Sequence, residues 1–173
     1  AQWGYVAIIR YCPGLGISQV GNAMLTYNAN QLSGIVDWLD RENARPDSPL
    51  FEMVDTNNVG ATGHSMGATI SMIQGSNDPR IKAIVSLDIK YMETRLRPLL
   101  HFDNIKGAYL IVSTDDPSWC GVPRNNEGKL LPLLPSPAAE VKILGADHMD
   151  FEDSLTSFNY LALAACPEGR MDS

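Results

Sequence analysis

Five short runs in this chain are apolar without strict alternation: YVAII (residues 5–9), VGAT (59–62), IKAIVSL (81–87), AYLIVS (108–113) and EVKIL (140–144). A strand solvated on one face alternates polar and apolar residues, because successive side chains point to opposite faces. A strand covered on both faces has no such alternation, so these runs are read as buried strands of a parallel sheet. Helical spacing fills the intervals. In NANQLSGIVDWLDREN, residues Leu32, Ile35, Val36 and Leu39 fall at i, i+3, i+4 and i+7 on one helix face. MGATISMIQG is a helix of small and apolar residues suited to burial, and SLTSFNYLALAAC is a final helix that stops before Pro167 and Gly169. Strand and helix in alternation predict the α/β class, with a mostly parallel, doubly wound sheet. RPDSP and LPLLPSP are read as surface loops rather than linkers, so residues 1–173 are read as one domain.

Composition narrows the function classes. A chain of 173 residues is long enough for one core. No stretch approaches the roughly eighteen apolar residues that a membrane span needs. The opening AQWGYVAII reads as the end of a helix followed by a strand, not as a signal peptide. The net charge is −7 and basic residues do not cluster, so nucleic acid is not an expected partner. Cys12, Cys120 and Cys166 match neither a zinc pattern nor a C-x-x-C motif, and no metal or cofactor is implied.

Between the second strand and the helix after it stands Gly63-His64-Ser65-Met66-Gly67. G-x-S-x-G at a strand-to-helix turn is a nucleophile elbow: glycines let strand and helix approach closely, and the serine hydroxyl is exposed at the helix start. The N–H of Met66, the residue after the serine, is aimed at a developing oxyanion. The bland alternative is a glycine-rich turn with a buried serine. A serine at its ordinary pKa is a poor nucleophile and needs a base held by an acid. Of the two histidines after Ser65, His148 lies in the loop after the last strand, where the base belongs. His101 lies at a helix end leading into a loop, and His64 sits inside the elbow. Two strand ends offer an acid, Asp88 after the third run and Asp116 after the fourth, with Asp115 beside it.

With these residues the chain resembles the serine esterases of the α/β-hydrolase fold, in particular the dienelactone hydrolase, cutinase and polyester hydrolase branch. The resemblance is carried by AQWGYVAII, QLSGIVDWLD, SPLFEMVDTNNVGATGHSMGA, NDPRIKAIVSLD and GADHMDFED, which cover most of the chain. LDIKY and HMDFED are similar to platelet-activating-factor acetylhydrolases and chlorophyllases, whose acid follows the strand that here ends at Asp88. The cutinase branch puts the acid after the next strand, which implies Asp115 or Asp116, and a small-x-x-Asp pattern favours Asp116. Asp88 is preferred, with Asp116 as the alternative. The chain departs from the family at His64, where polyester hydrolases usually carry an aromatic residue, and at Ala68, where a second glycine is usual.

The resemblance implies a carboxylic ester hydrolase of the esterase, lipase or cutinase type, with Ser65, His148 and Asp88 as triad and Met66 as half of the oxyanion hole. Trp119, Tyr91, Met66 and Met149 are candidates to line an apolar acyl cleft. It also implies that YVAII is the fold's fourth strand, so the sequence is expected to lack the N-terminal strands and to be a fragment. A second polypeptide or segment would then complete the sheet and supply the other oxyanion donor. The rival reading pairs residues 5–9 with 59–62 and uses the loop Cys12-Pro13-Gly14-Leu15-Gly16 as the oxyanion loop. In secreted members a cysteine after the final helix pairs with one nearer the C-terminus, a partner that Cys166 lacks here. A Cys120–Cys166 bond is not expected, and secretion is favoured by resemblance alone. The alternative function is a non-catalytic, α/β-hydrolase-like binding protein that keeps the elbow.

Overall fold

The fold was read from a computed structural model, which describes residues 4–10, 21–89, 96–115, 118–119, 122–123, 127–135 and 137–151. Four of the five apolar runs are strands. In chain order the elements are α1 (Asn22–Ala44), β1 (Val59–His64), α2 (Met66–Asn77), β2 (Ile81–Leu87), β3 (Ala108–Thr114), β4 (Ser118–Trp119), β5 (Val122–Pro123), α3 (Glu127–Leu130) and β6 (Ala138–Ile143). Single 3-10 turns occupy Arg97–Leu99, Phe102–Asn104, Leu131–Leu133 and His148–Phe151. The main sheet has the order β1-β2-β3-β6, every neighbouring pair parallel. This is the α/β-hydrolase arrangement of strands joined by helical crossovers. The two-residue strands β4 and β5 make a separate antiparallel pair.

The core explains why α2 is built of small and apolar residues. All of Ala68–Ser76 is buried, with Ile70, Met72 and Ile73 at 2% exposure or less. On the sheet face beneath α2 lie Ile84, Ser86, Tyr109 and Ile111, all buried. The approach is closest at Gly75, where a β-carbon would stand 2.1 Å from Ile84 Cδ1. Helix α1 packs on α2 and buries Leu25, Ala29, Val36 and Leu39, while Leu32 and Ile35 of the expected stripe are half-buried. Tyr109 brings a hydroxyl into this core. Its partner is Ser86 Oγ at 2.5 Å, and burial pushes the phenol's pKa up, against a smaller downward pull from that bond.

Two expectations about the sheet need correction. Burial on both faces does not hold even at the centre of the sheet. Val85, Leu110 and Val112 on the other face are half-buried, and Val141 and Ile143 of the edge strand β6 are exposed. The second concerns residues 5–9, which form no strand. They are exposed, with Tyr5 at 74% and Ile9 at 96%, and do not pair with β1, whose ladder runs to β2. Apolar composition gives a segment reason to leave water, but a strand exists only through ladder hydrogen bonds with a neighbour. No described residue supplies those bonds to 5–9. What anchors the segment is Arg10, whose Nη1 donates to Asn28 Oδ1 on α1 at 2.9 Å. The helix expected at 154–166 lies outside the described residues. No helix among the described residues is long and apolar enough to cross a membrane.

Candidate active site

Parallel strands end on the same side of a sheet, so residues just past neighbouring strands are brought close together. Ser65 follows β1, and its N–H donates to Leu87 O at the end of β2, at 2.9 Å. Asp88 follows β2, and its N–H donates to Val112 O of β3, at 2.7 Å. Each ladder thus continues one residue beyond its strand and fixes the backbone that carries the side chain. Both residues turn sharply there. Among the described residues only Glu52, Ser65 and Asp88 combine a side chain with positive φ, at 54°, 56° and 45°. Such backbone costs about 1–3 kcal/mol and persists only where the surroundings enforce it.

At the elbow the enforcement is visible. A β-carbon on Gly63 would lie 2.4 Å from Gly67 C, 2.5 Å from Gly67 O and 2.9 Å from Ala68 N, so β1 and α2 cross too closely for any side chain. Ser71 Oγ donates to Thr62 O at 3.0 Å and pins the helix to the strand. Ser65 is the N-cap of α2 and Met66 its first residue. The amides of a helix's first turn have no acceptor within the helix, so the Met66 N–H is of the kind that serves an anion.

His148 enters from beyond β6 on a short 3-10 turn and is 6% exposed. Its Nε2 stands 3.0 Å from Ser65 Oγ, and its Nδ1 is hydrogen-bonded to Asp88 Oδ2. Asp88 is fully buried, and its other oxygen accepts from Thr114 N–H at 3.3 Å and Thr114 Oγ1 at 3.4 Å. A buried carboxylate is tolerable only with such partners. With Asp88 acting as acceptor, Nδ1 carries the ring proton and Nε2 is left to accept from the serine hydroxyl.

The turn bearing His148 is held by further carboxylates. Asp147 Oδ1 accepts from Met149 N–H, and Asp150 Oδ2 accepts from Asp147 N–H, each at 2.7 Å. Asp115, one of the candidate acids, accepts from Gly145 N–H at 2.8 Å and so braces the same loop. The D-H-x-D spacing in the sequence is the available signal for the first two bonds, because at a turn the first aspartate caps the amide two residues on and the second reaches back to the first one's amide. No local signal marks the third feature of the site, the His64 ring. It lies 4.4 Å from the His148 ring, centroid to centroid, and 5.7 Å from that of Phe151.

The remaining sequence candidates divide as follows. Met149 is half-buried beside His148. His101 is exposed and lines a cavity of about 510 Å³ with Arg97, Phe102 and Leu133, on the side from which β3 and β6 enter the sheet, away from Ser65. Trp119 contributes backbone to β4. Asp116, Tyr91, the three cysteines and the loop 12–16 lie outside the described residues.

Comparison with known protein families matches the chain to a family described as PET hydrolase-like, over residues 23–123. The matched span runs from α1 through β5 and includes Ser65, Met66 and Asp88, though not His148. No curated protein matches the chain.

Proposed function

The chain belongs to the PET hydrolase-like family, and from that premise we propose that it hydrolyses carboxylic esters through an acyl-enzyme formed on Ser65. One observation carries the reading: the hydrogen-bonded sequence from buried Asp88 through buried His148 to the half-buried Ser65 Oγ. A serine hydroxyl becomes a usable nucleophile when an aligned base removes its proton as it attacks. Ser65 Oγ bonds to the ester carbonyl carbon while its proton passes to His148 Nε2. The Met66 N–H donates to the oxygen that becomes negative. Asp88 keeps the imidazole in the required tautomer and stabilises the imidazolium without itself taking the proton. That proton then goes to the leaving oxygen, the ester C–O bond breaks and the alcohol departs. Water repeats the sequence on the acyl-enzyme: His148 takes a proton from it as its oxygen bonds to the acyl carbon, the Ser65 Oγ–acyl bond then breaks as that proton passes to Oγ, and the acid product departs.

The substrate is assigned more finely by family. The proposal takes in esters of the cutinase and polyester hydrolase type, with Met66, Met149, Tyr91 and Trp119 as the apolar wall for the acyl group. The second oxyanion donor is assigned to a segment along the outer edge of β1, which among the described residues pairs only with β2.

The test is labelling of the purified protein with a fluorophosphonate probe, followed by peptide mapping. We expect a covalent adduct on Ser65, absent in Ser65→Ala, and turnover of p-nitrophenyl butyrate. Absence of labelling on the folded protein would reject the esterase reading in favour of a binding protein that keeps the elbow. Asp88→Asn should lower kcat by about 10⁴ while Asp116→Asn leaves most activity, because loss of a triad acid costs about that factor. The reverse order would move the acid to Asp116.

A further inference from the structure

We propose that His64 is a positioning residue for His148, its ring serving as the face against which the base is held through the reaction. The inference rests on the esterase reading and adds a role for the residue next to the nucleophile. His148 is fixed in its own plane at two opposite atoms, Nδ1 by Asp88 and Nε2 by Ser65. Those two contacts and the Cβ–Cγ bond define the plane of the ring, and a contact on its face further restrains motion out of that plane. The His64 ring supplies that contact at a centroid distance of 4.4 Å and a tilt of 39°. This is the close end of the range in which aromatic pairs attract.

The need for a face contact grows during turnover. Once Ser65 Oγ is bonded to the acyl carbon, Nε2 loses its partner in the plane and must hold its proton ready for the leaving oxygen. Asp88 then holds the imidazolium at the opposite edge. The face contact does not depend on Nε2 and persists. His64 also meets Phe151 at 5.7 Å, and Phe151 ends the same 3-10 turn that His148 begins. The rings therefore tie the end of β1, which carries the nucleophile, to the turn that carries the base. His64 is placed for this by the elbow itself, since the left-handed Ser65 reverses the chain immediately after it.

The test compares His64→Ala, His64→Gln and His64→Phe in the whole chain, with two readouts. The first is kcat and KM on p-nitrophenyl esters from acetate to octanoate. The second is the low-field proton resonance of His148 Nδ1–H, assigned by its loss in Asp88→Asn. We expect Ala and Gln to lower kcat by about three- to tenfold at every chain length, the factor that loss of one aromatic pair sets, with KM little changed. The low-field resonance should broaden in both. Phe should restore kcat to within about twofold and sharpen the resonance, since it keeps the ring without the nitrogens. If Ala fails to fold, Gln against Phe makes the same comparison. Three results would overturn the inference: wild-type kcat and resonance in Ala or Gln; Phe behaving as Ala does; or a KM change that grows with acyl length over an unaltered resonance, which would make His64 a wall of the cleft. A resonance that responds as expected, in a protein that turns over no ester, would support the positioning role and sink the esterase reading alone.

Discussion

At Gly63 the difference between glycine and any other residue is a clash with main chain. The atoms a β-carbon would meet belong to the backbone of Gly67 and Ala68, which cannot yield without opening the elbow. Gly67 differs. It lies within α2 without positive φ, and a β-carbon there meets nothing within 4 Å. The two glycines of the motif therefore separate by experiment. Gly63→Ala should destabilise by about 3 kcal/mol, or roughly 10 °C in Tm, as overpacking against immobile atoms does. Gly67→Ala should leave Tm equal or raise it slightly, since alanine is the better helix former. Thermal melts of the two variants check this, and equal losses would contradict the crossing geometry. The left-handed backbone of Ser65 and Asp88 is a second residue-scale cost, borne where side chains with chemistry stand in place of glycine.

Between elements, one side chain does much of the joining. Arg80, in the turn from α2 to β2, grips Asp78 with Nε and Nη2 at 2.9 and 2.8 Å. It also reaches α1 at Asp37, at 2.7 Å, and at Asp40, at 3.2 Å. Asp37 and Asp40 are about half exposed, so their pairs contribute little in water. Asp78 is buried, and the hydrogen bond from Arg80 holds its pKa below the usual 3.8, outweighing the upward pull of burial. A group with a depressed folded pKa stabilises fully above its unfolded value, and that contribution is lost as pH falls through the folded value. The Tm difference between wild type and Asp78→Asn should therefore be constant from pH 7 to about pH 5 and shrink below about pH 4. A difference that persists undiminished at pH 2.5 would show that the pair is not what stabilises the turn.

Across the whole molecule, the parallel sheet gathers the chemistry at one rim. Ser65, Asp88 and Asp115 follow β1, β2 and β3, and His148 follows β6, so the order across the sheet repeats the order along the chain. The same topology sets a gradient of stability. β2 and β3 have neighbours on both sides, β1 and β6 on one, and residues 5–9 on none among the described residues. Hydrogen exchange should show the slowest amides in β2 and β3, intermediate rates in β1 and β6, and rapid exchange in 5–9. Strong protection of 5–9 in the isolated chain would mean that another strand pairs with it.

Much of this could be read from residues alone, and the division has a physical cause. Four strands were legible as apolar runs, and α1 as a helical stripe, because burial selects composition locally. The elbow was legible because its close crossing demands glycine at a fixed spacing from the serine. The runs could not show that residues 5–9 would lack a partner, or that β6 would expose Val141 and Ile143. Pairing and coverage depend on what lies alongside, and no window of sequence contains its neighbours. The carboxylate facing His148 was open for the same reason. Asp88 and Asp116 both follow apolar strands, and only the spatial order of strand ends brings Asp88 Oδ2 to Nδ1 while Asp115 turns to Gly145. The ring of His64 against His148 had no local sign at all. Sequence by itself determined the elements and the types of reactive side chain, because propensity, burial and turn chemistry act over a few residues. Tertiary structure alone decided which of those side chains meet, because Asp88 and His148, 60 positions apart, are brought together only through the sheet.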